Sequence, residues 1–86
     1  MGSVAVTFRV MPESLDIDIG DLKGRVRGAL GPAFRSMEER PVAFGLKAVL
    51  AIAIVDDASG AADLLEQTLS AAPGVGSVEI VDVTLV

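Results

Sequence analysis

The feature that most constrains the fold is the stretch LKAVLAIAIV at positions 46–55, which is almost continuously apolar. It is too short to cross a bilayer, which needs roughly 20 apolar residues, and the β-branched residues toward its end favour a strand. A strand with little polar alternation is typical of a sheet interior that is covered on at least part of both faces. We therefore expect a sheet to be built around this segment.

Three other segments have the pattern of strands. At positions 4–10, valine and phenylalanine alternate with other residues, which is the period of a half-buried strand, and MPES at 11–14 ends it. Positions 34–42 are more polar and contain Pro41, which cannot donate a ladder hydrogen bond, so an edge strand is expected there. Positions 75–86 are rich in β-branched residues and are expected to form the last strand.

Two segments have the 3.6-residue period of amphipathic helices. The first follows Asp16 or Asp18, either of which can cap it, and the second spans positions 61–71. Gly24 and Gly28 lie inside the first helix, where we expect them to permit close approach to the sheet or to a partner. The apolar side of the first helix is expected to contain Ile19, Leu22, Val26, Ala29 and Leu30. That of the second is expected to contain Ala61, Leu64, Leu65, Thr68, Leu69 and Ala72.

The order is strand, helix, strand, strand, helix, strand, with a turn at positions 56–60 before the second helix. This is the pattern of the ferredoxin-like, or split βαβ, sandwich. We therefore expect an α+β fold with βαββαβ order, in which two helices cover one face of a four-stranded antiparallel sheet. The first and third strands, which are the most apolar, are the central strands of this fold. The length of 86 residues suits one domain spanning positions 1–86.

Composition excludes several classes of function. The chain has no cysteine and no histidine, so disulfides, thiolate nucleophiles and zinc ribbons are impossible, and the usual acid/base residue at neutral pH is missing. We therefore expect neither an enzyme nor a cofactor or metal site, and Asp56-Asp57 is more simply a solvated turn.

The first residues enter a strand directly, without a basic and then apolar leader, so a cytoplasmic location is expected.

Charge is distributed unevenly along the chain. Positions 1–47 hold all seven basic residues and six acidic ones, whereas positions 48–86 hold six acidic residues and no basic ones. The net charge of −5 argues against non-specific nucleic-acid binding, and no membrane association is expected. An RNA-binding sandwich needs aromatic residues on its central strands; Phe8 is one, but the third strand offers no partner. A small-molecule-sensing regulatory domain that pairs through sheet edges or helices is the alternative function open to this fold.

The strongest candidate for a binding site lies in ERPVAFGLKAV at positions 39–49. Phe44 falls in the connection between the second and third strands, where Pro41 stiffens the approach and Gly45 leaves the ring uncovered. A core aromatic at a strand start is the simple interpretation. An exposed aromatic on a stiff loop is instead a good anchor, because docking buries a large area with little loss of side-chain entropy. Lys47 is either a solvated charge or a cation aimed at an acidic or metal-binding site on a partner.

Three motifs together resemble the archaeal elongation factor 1-beta family: MPES at 11–14, PVAFGLKAV at 41–49 and GVGSVEIVDV at 74–83. The resemblance implies a factor that promotes exchange of GDP for GTP on the GTPase elongation factor 1-alpha. It also implies that Phe44 is the aromatic inserted into the GTPase, within a partner-binding segment that includes Arg40, Pro41, Gly45 and Lys47. Such a factor binds the nucleotide-free GTPase more tightly than the GDP form, and by linkage it weakens GDP binding without covalent chemistry.

The resemblance includes one departure. In eukaryotic relatives, a lysine near the C-terminus is implicated at the Mg²⁺ site of the GTPase, where a competing cation lowers nucleotide affinity because Mg²⁺ bridges the phosphates to the protein. Archaeal relatives often carry arginine there, but the last five residues of this chain, DVTLV, contain no basic residue. Lys47 is then the nearest basic candidate and Arg40 the second, unless exchange relies on Phe44 and its loop alone. A monomer is the favoured form.

Overall fold

The computed structural model describes residues 2–56 and 60–86. Within these ranges the elements are β1 (Ser3–Pro12), α1 (Ile19–Leu30), β2 (Phe34–Pro41), β3 (Lys47–Asp56), α2 (Ala61–Ala71) and β4 (Val75–Leu85). Two short 3-10 turns, Gly31–Ala33 and Ala43–Gly45, precede β2 and β3. The predicted βαββαβ order is confirmed. The turn expected at positions 56–60 lies partly outside the described residues, at positions 57–59.

The four strands form one antiparallel sheet in the order β2-β3-β1-β4. β1 and β3 are therefore the central strands, as expected, and β2 and β4 are the edges. β1 is longer than its alternating pattern suggested, because Met11 and Pro12 continue the pairing with β4, opposite Ser77 and Val75. The MPES motif therefore begins inside the strand and ends it two residues later than expected.

The core lies between the sheet and the two helices. On β1, the valines and Phe8 at every second position are buried on the helix side, as their period of two predicts. Phe8 pairs across the sheet with Ala51, and this large residue opposite a small one leaves room for the helices above. On the other face of the sheet, β3 carries Leu50, Ile52 and Ile54, which are half-buried. The apolar run of β3 is thus covered on one face and partly covered on the other.

Helix α1 begins at a cap formed by Asp18, one of the two candidates. Its Oδ1 accepts a hydrogen bond of 2.8 Å from the backbone N–H of Gly20, which satisfies one of the free amides of the first turn. The buried residues Leu22, Val26 and Leu30 recur at every fourth position and face the sheet. None of the helices in the described part of the chain is long and apolar enough to cross a membrane.

The expectation that the glycines of α1 permit close approach is wrong for the sheet, and close approach to a partner stays a prediction. Gly24 and Gly28 lie on the exposed side of the helix, and a Cβ atom added to either would meet no other atom within 4 Å. The close approach occurs elsewhere, at the start of β4. A Cβ on Gly76 would lie 2.8 Å from the carbonyl oxygen of Pro12, so only glycine fits beside β1 there.

The buried face of α2 differs from the one expected. Leu69 is fully buried and Leu65 half-buried, but Leu64 is 63% exposed and Thr68 is exposed. The hydroxyl of Thr68 donates a hydrogen bond of 2.9 Å to the carbonyl oxygen of Leu64, so it is satisfied within the helix. The sheet is contacted by the stripe that passes through Ala61, Leu65 and Leu69. Compared with the expected orientation, α2 is therefore rotated about its axis, and Leu64 faces solvent.

Candidate partner-binding site

Two loops meet at one end of the sheet, and we call this end the tip. One is the β1–α1 loop at positions 13–18 and the other is the β2–β3 loop at positions 42–46. In an antiparallel sheet with this order, β1 ends where β3 begins, so the two loops are neighbours. Leu15 Cδ2 lies 3.7 Å from the point where a Cβ of Gly45 would stand. The tip is therefore one continuous surface built from two distant parts of the sequence.

The β2–β3 loop is held by its own backbone. Val42 N–H donates to the carbonyl oxygen of Leu46 at 2.8 Å, and Leu46 N–H donates to that of Ala43 at 3.2 Å. The β1–α1 loop is held at its start by a hydrogen bond of 2.9 Å from Glu13 N–H to the carbonyl oxygen of Gly74. Backbone hydrogen bonds therefore hold both loops, and in the β1–α1 loop the side chains of Ser14 and Asp18 also accept hydrogen bonds from backbone N–H groups.

Phe44 projects from the tip into solvent. It is 91% exposed, and its backbone lies in the left-handed region at φ 63° and ψ 29°. It is the only non-glycine with positive φ among the described residues, and the adjoining Gly45 also has positive φ, at 80°. A left-handed conformation costs an L-residue roughly 1–2 kcal/mol. The interpretation of Phe44 as a core aromatic is therefore excluded, because the ring is outside the core and on a strained backbone.

We expect the variant Phe44→Gly to be more stable than Phe44→Ala by about 1 kcal/mol. Glycine reaches the left-handed region without the Cβ clash, whereas alanine keeps it. Neither variant has the ring, so the difference in their free energies of unfolding, measured with urea, reports the backbone strain minus the roughly 0.4–1 kcal/mol that the freer unfolded chain of the glycine variant costs. An alanine variant that is more stable than the glycine variant would show that the backbone is not strained at this position.

The three phenylalanines lie in three different environments. Phe8 is fully buried at the centre of the sheet. Phe34, at the start of β2, packs partly against the core, and the guanidinium of Arg27 lies over its ring, 5.0 Å from the centroid. Phe44 has almost no contact with the rest of the fold. Solvent exposure thus singles out one aromatic residue that the fold does not need.

The other residues of the candidate segment are brought together at the tip, except Arg40. Pro41 and Lys47 are opposite each other as the last pair of the β2–β3 ladder. The Arg40 side chain is directed back along β2, where Nη2 donates a hydrogen bond of 2.9 Å to Glu38 Oε1. This pair is exposed and contributes little stability. Lys47 is exposed and takes part in none of the ion pairs between described residues.

Lys47 cannot occupy the place of a basic residue at the C-terminus. Val49 pairs with Val10 near one end of β1, which puts Lys47 level with Pro12, whereas Leu85 pairs with Val4 near the other end. At about 3.3 Å per residue, these two ends of the strand are roughly 26 Å apart. Any cation contributed by Lys47 therefore acts at the tip, beside Phe44.

A hollow of about 140 Å³ lies between the two loops, next to Gly45 and Leu46 of the loop that carries Phe44. Its mainly apolar lining is formed by Pro12, Leu15, Ile17, Ile19, Gly45 and Leu46, with Ser14 and Lys47 as the polar members. Leu15 is 65% exposed, and Val42 and Phe44 on the other loop are also exposed.

Leu15 is a residue of this surface that was not predicted from the sequence. The available signal was its position in the polar stretch ESLD, outside the apolar stripe of α1. Periodicity could not show that this loop lies beside the Phe44 loop.

Charge is separated across the molecule as well as along the sequence. Lys23, Arg27 and Arg35 lie on α1 and on the β2 edge, whereas α2 and β4 carry Asp63, Glu66, Glu79 and Asp82 and no basic residue. Arg9 on β1 forms an exposed ion pair with Glu79 of β4. The β4 edge is therefore acidic, whereas α1 and β2 carry Asp21, Glu38 and Glu39 beside their basic residues.

Comparison with known proteins identifies the family. A family model described as the EF-1 guanine nucleotide exchange domain matches residues 5–86. The chain belongs to this family. It is 52% identical to the elongation factor 1-beta of Methanoregula boonei, with 99% of each chain covered, and 45% identical to that of Methanosphaerula palustris, with the same coverage. It is also 43% identical to the elongation factor 1-beta of Methanoculleus marisnigri over the whole of both chains. The predicted resemblance to archaeal elongation factor 1-beta is confirmed.

The solved structures add a likeness in fold to this member of the exchange-domain family. The ACT domain from the GTP pyrophosphokinase of Chlorobium tepidum matches it with a TM-score of 0.65, covering 92% of this chain and 99% of that domain. The two sequences are 16% identical, so the likeness concerns the fold alone. It agrees with the ferredoxin-like architecture predicted for the exchange domain.

Proposed function

We propose that this protein promotes exchange of GDP for GTP on elongation factor 1-alpha, and that Phe44 is the side chain that enters the GTPase. The observation that carries the proposal is the Phe44 ring itself, which is 91% exposed on a left-handed backbone at the tip. Strain at a residue that contributes nothing to the core is typical of functional sites. Membership of the exchange-domain family supplies the reaction.

The geometry of the tip favours tight docking by Phe44. A phenylalanine side chain has few rotatable bonds, so its burial in a partner loses little entropy. The loop is already fixed by the hydrogen bonds between Val42, Ala43 and Leu46, so little ordering is needed when the complex forms. Gly45 leaves one flank of the ring free of a side chain. Phe44 can therefore act as a wedge whose position is set before the partner arrives.

Exchange by a wedge requires only differential binding. If the tip fits the nucleotide-free GTPase better than the GDP-bound form, GDP affinity falls by the same factor as the affinity for this protein rises. A typical coupling of 1–3 kcal/mol corresponds to about 5- to 150-fold. No proton or bond has to be transferred, which agrees with a chain that lacks histidine and cysteine.

The residues beside Phe44 have supporting roles in this proposal. Pro41 limits the freedom of β2 where it enters the loop, and Lys47 offers a positive charge next to the ring. Arg40 is the weaker candidate because its side chain is directed to Glu38 along β2. We propose that Lys47 contacts an acidic group of the GTPase near the wedge, because this exposed cation has no ion-pair partner among the described residues.

The setting of the protein follows from the same proposal. We propose that residues 1–86 act as one domain in the cytoplasm and that the acting form is a monomer. Direct nucleic-acid binding is not part of the proposal, because α2 and β4 present only acidic charges and the net charge is −5. Partner choice then depends on the protein surface at the tip.

The test of this function is a nucleotide-release assay. Elongation factor 1-alpha loaded with a fluorescent GDP analogue is mixed with excess GDP, with and without this protein. We expect release to be accelerated by substoichiometric amounts of this protein, because each molecule leaves the GTPase when unlabelled GDP binds and can then act again. Release at the same rate with and without it would overturn the proposed function.

A further inference from the structure

We propose that the hollow at the tip receives one apolar side chain of the GTPase, so that the tip docks by a knob and a hole together. Phe44 is the knob, and the hollow between the two loops is the hole. This inference rests on the proposed function, since it takes elongation factor 1-alpha as the partner. It adds a second contact and states the chemistry of the group that fills it.

The size of the hollow limits its occupant. A 150 Å³ apolar cavity is large enough to hold benzene. The hollow here, at about 140 Å³, is therefore matched to one side chain of the size of leucine, isoleucine, methionine or phenylalanine.

The lining of the hollow selects an apolar occupant with an acidic neighbour. Leu15, Ile17 and Leu46 present aliphatic surface, which gains free energy when it is removed from water. Lys47 is the one charged residue of the lining. An apolar side chain of the partner would therefore fill the hollow, and a nearby carboxylate of the partner would meet Lys47.

Leu15 is the residue that reveals this surface. It is 65% exposed, and it is not among the apolar residues that pack against the core in the described part of the chain. It lies against the Phe44 loop, because Leu15 Cδ2 is 3.7 Å from the position of a Gly45 Cβ. A partner that buries the Phe44 ring therefore comes within reach of Leu15 on the same face.

The chain offers a matched control for a test at Leu15. Leu64 is 63% exposed, almost the same fraction, and it lies on α2, away from the residues that form the tip. The variants Leu15→Asp and Leu64→Asp add the same charge at equally exposed leucines. Any general effect of charge or solubility is therefore shared by both variants, and only contact at the tip separates them.

The experiment measures the concentration of this protein that gives half-maximal acceleration of GDP release from elongation factor 1-alpha. We expect Leu15→Asp to raise this concentration at least tenfold, because a carboxylate would be buried against an apolar side chain. Leu64→Asp should stay within about twofold of the unchanged protein. Equal values for the two variants would overturn the hollow as a contact, while acceleration by the unchanged protein would leave the proposed function standing.

Folding and self-association are checked on the same samples. Leu15→Asp should keep the thermal midpoint of the unchanged protein within about 2 °C, because Leu15 lies in a loop and is mostly exposed. Leu15→Ala should raise the half-maximal concentration less than Leu15→Asp does. Unfolding of both Leu15 variants would overturn the inference, because it treats this side chain as dispensable for the fold.

Sedimentation of the protein alone tests the other occupant, Phe44 of a second copy. A dimer that Leu15→Asp dissociates would assign the hollow to self-association.

Discussion

Replacing Phe44 with alanine is expected to lower the acceleration of GDP release from elongation factor 1-alpha by about 100-fold. An aromatic anchor in an interface is commonly worth 2–4 kcal/mol, and each 1.4 kcal/mol corresponds to a factor of ten. The ring is 91% exposed in the free protein, so its removal takes almost nothing from the core. The thermal midpoint should therefore stay within about 2 °C of that of the unchanged protein.

A matched variant separates loss of the ring from a change in the loop. Val42→Ala shortens another exposed apolar side chain of the same loop and should lower the acceleration far less than Phe44→Ala. Phe44→Trp keeps an aromatic anchor and should retain part of the activity. If Phe44→Ala accelerates release as well as the unchanged protein, the wedge role is wrong even though the family assignment stands.

Replacing Phe8 with alanine is expected to destabilise the fold by about 3–5 kcal/mol. Phe8 is fully buried at the centre of β1 and pairs with Ala51 of β3 and Ile80 of β4. The substitution removes apolar contacts and leaves a cavity that a close-packed core fills only in part. Small domains are stable by only about 5–15 kcal/mol, so the variant should lose a large part of its stability.

Urea unfolding, followed by circular dichroism, measures this loss. Phe8→Leu is the control, since it keeps most of the apolar volume and should lose clearly less stability than Phe8→Ala. A loss below about 1 kcal/mol in Phe8→Ala would show that Phe8 is not at the centre of the core.

Together, the substitutions at Phe8 and Phe44 make the same chemical change at a buried and an exposed position. The substitution at Phe8 should lower the free energy of unfolding, and the substitution at Phe44 should lower the acceleration of GDP release.

The topology was predictable because its signals are local. The alternation in β1 and the recurrence of Leu22, Val26 and Leu30 in α1 reflect which side of a strand or helix meets the core. The continuous apolar run of β3 indicated a central strand, and Pro41 indicated an edge. Once six such elements occur in this order, the ferredoxin-like arrangement brings β1 and β3 to the centre.

The errors occurred where more than one local pattern was possible. Helix α2 has small or apolar residues on several of its sides, so its periodicity was compatible with a buried Leu64. In the structure, Leu65 and Leu69 pack against the sheet instead. In α1, the glycines suggested close packing that the structure does not have. Such choices depend on how a helix rotates against its neighbours, which the local pattern does not specify.

The geometry of the candidate site was predictable in part. The loop sequence indicated Phe44 as a candidate because proline and glycine flank it, but it left open whether the ring was buried. The left-handed backbone of Phe44 was not predictable, because a phenylalanine rarely adopts it and hydrogen bonds between Val42, Ala43 and Leu46 hold the loop. Leu15 was missed because its role depends on a loop from another part of the chain.

The sequence by itself determined the strands and helices, their order, the central pair of strands, the absence of histidine and cysteine chemistry, and the family. Only the tertiary structure decided which apolar residues stay in water and which of them meet. The physical reason is that periodicity records contacts along one element, whereas the tip is formed by loops that antiparallel pairing of β1 with β3 brings side by side. Leu15 and Phe44 therefore become neighbours on one surface only when the sheet has formed.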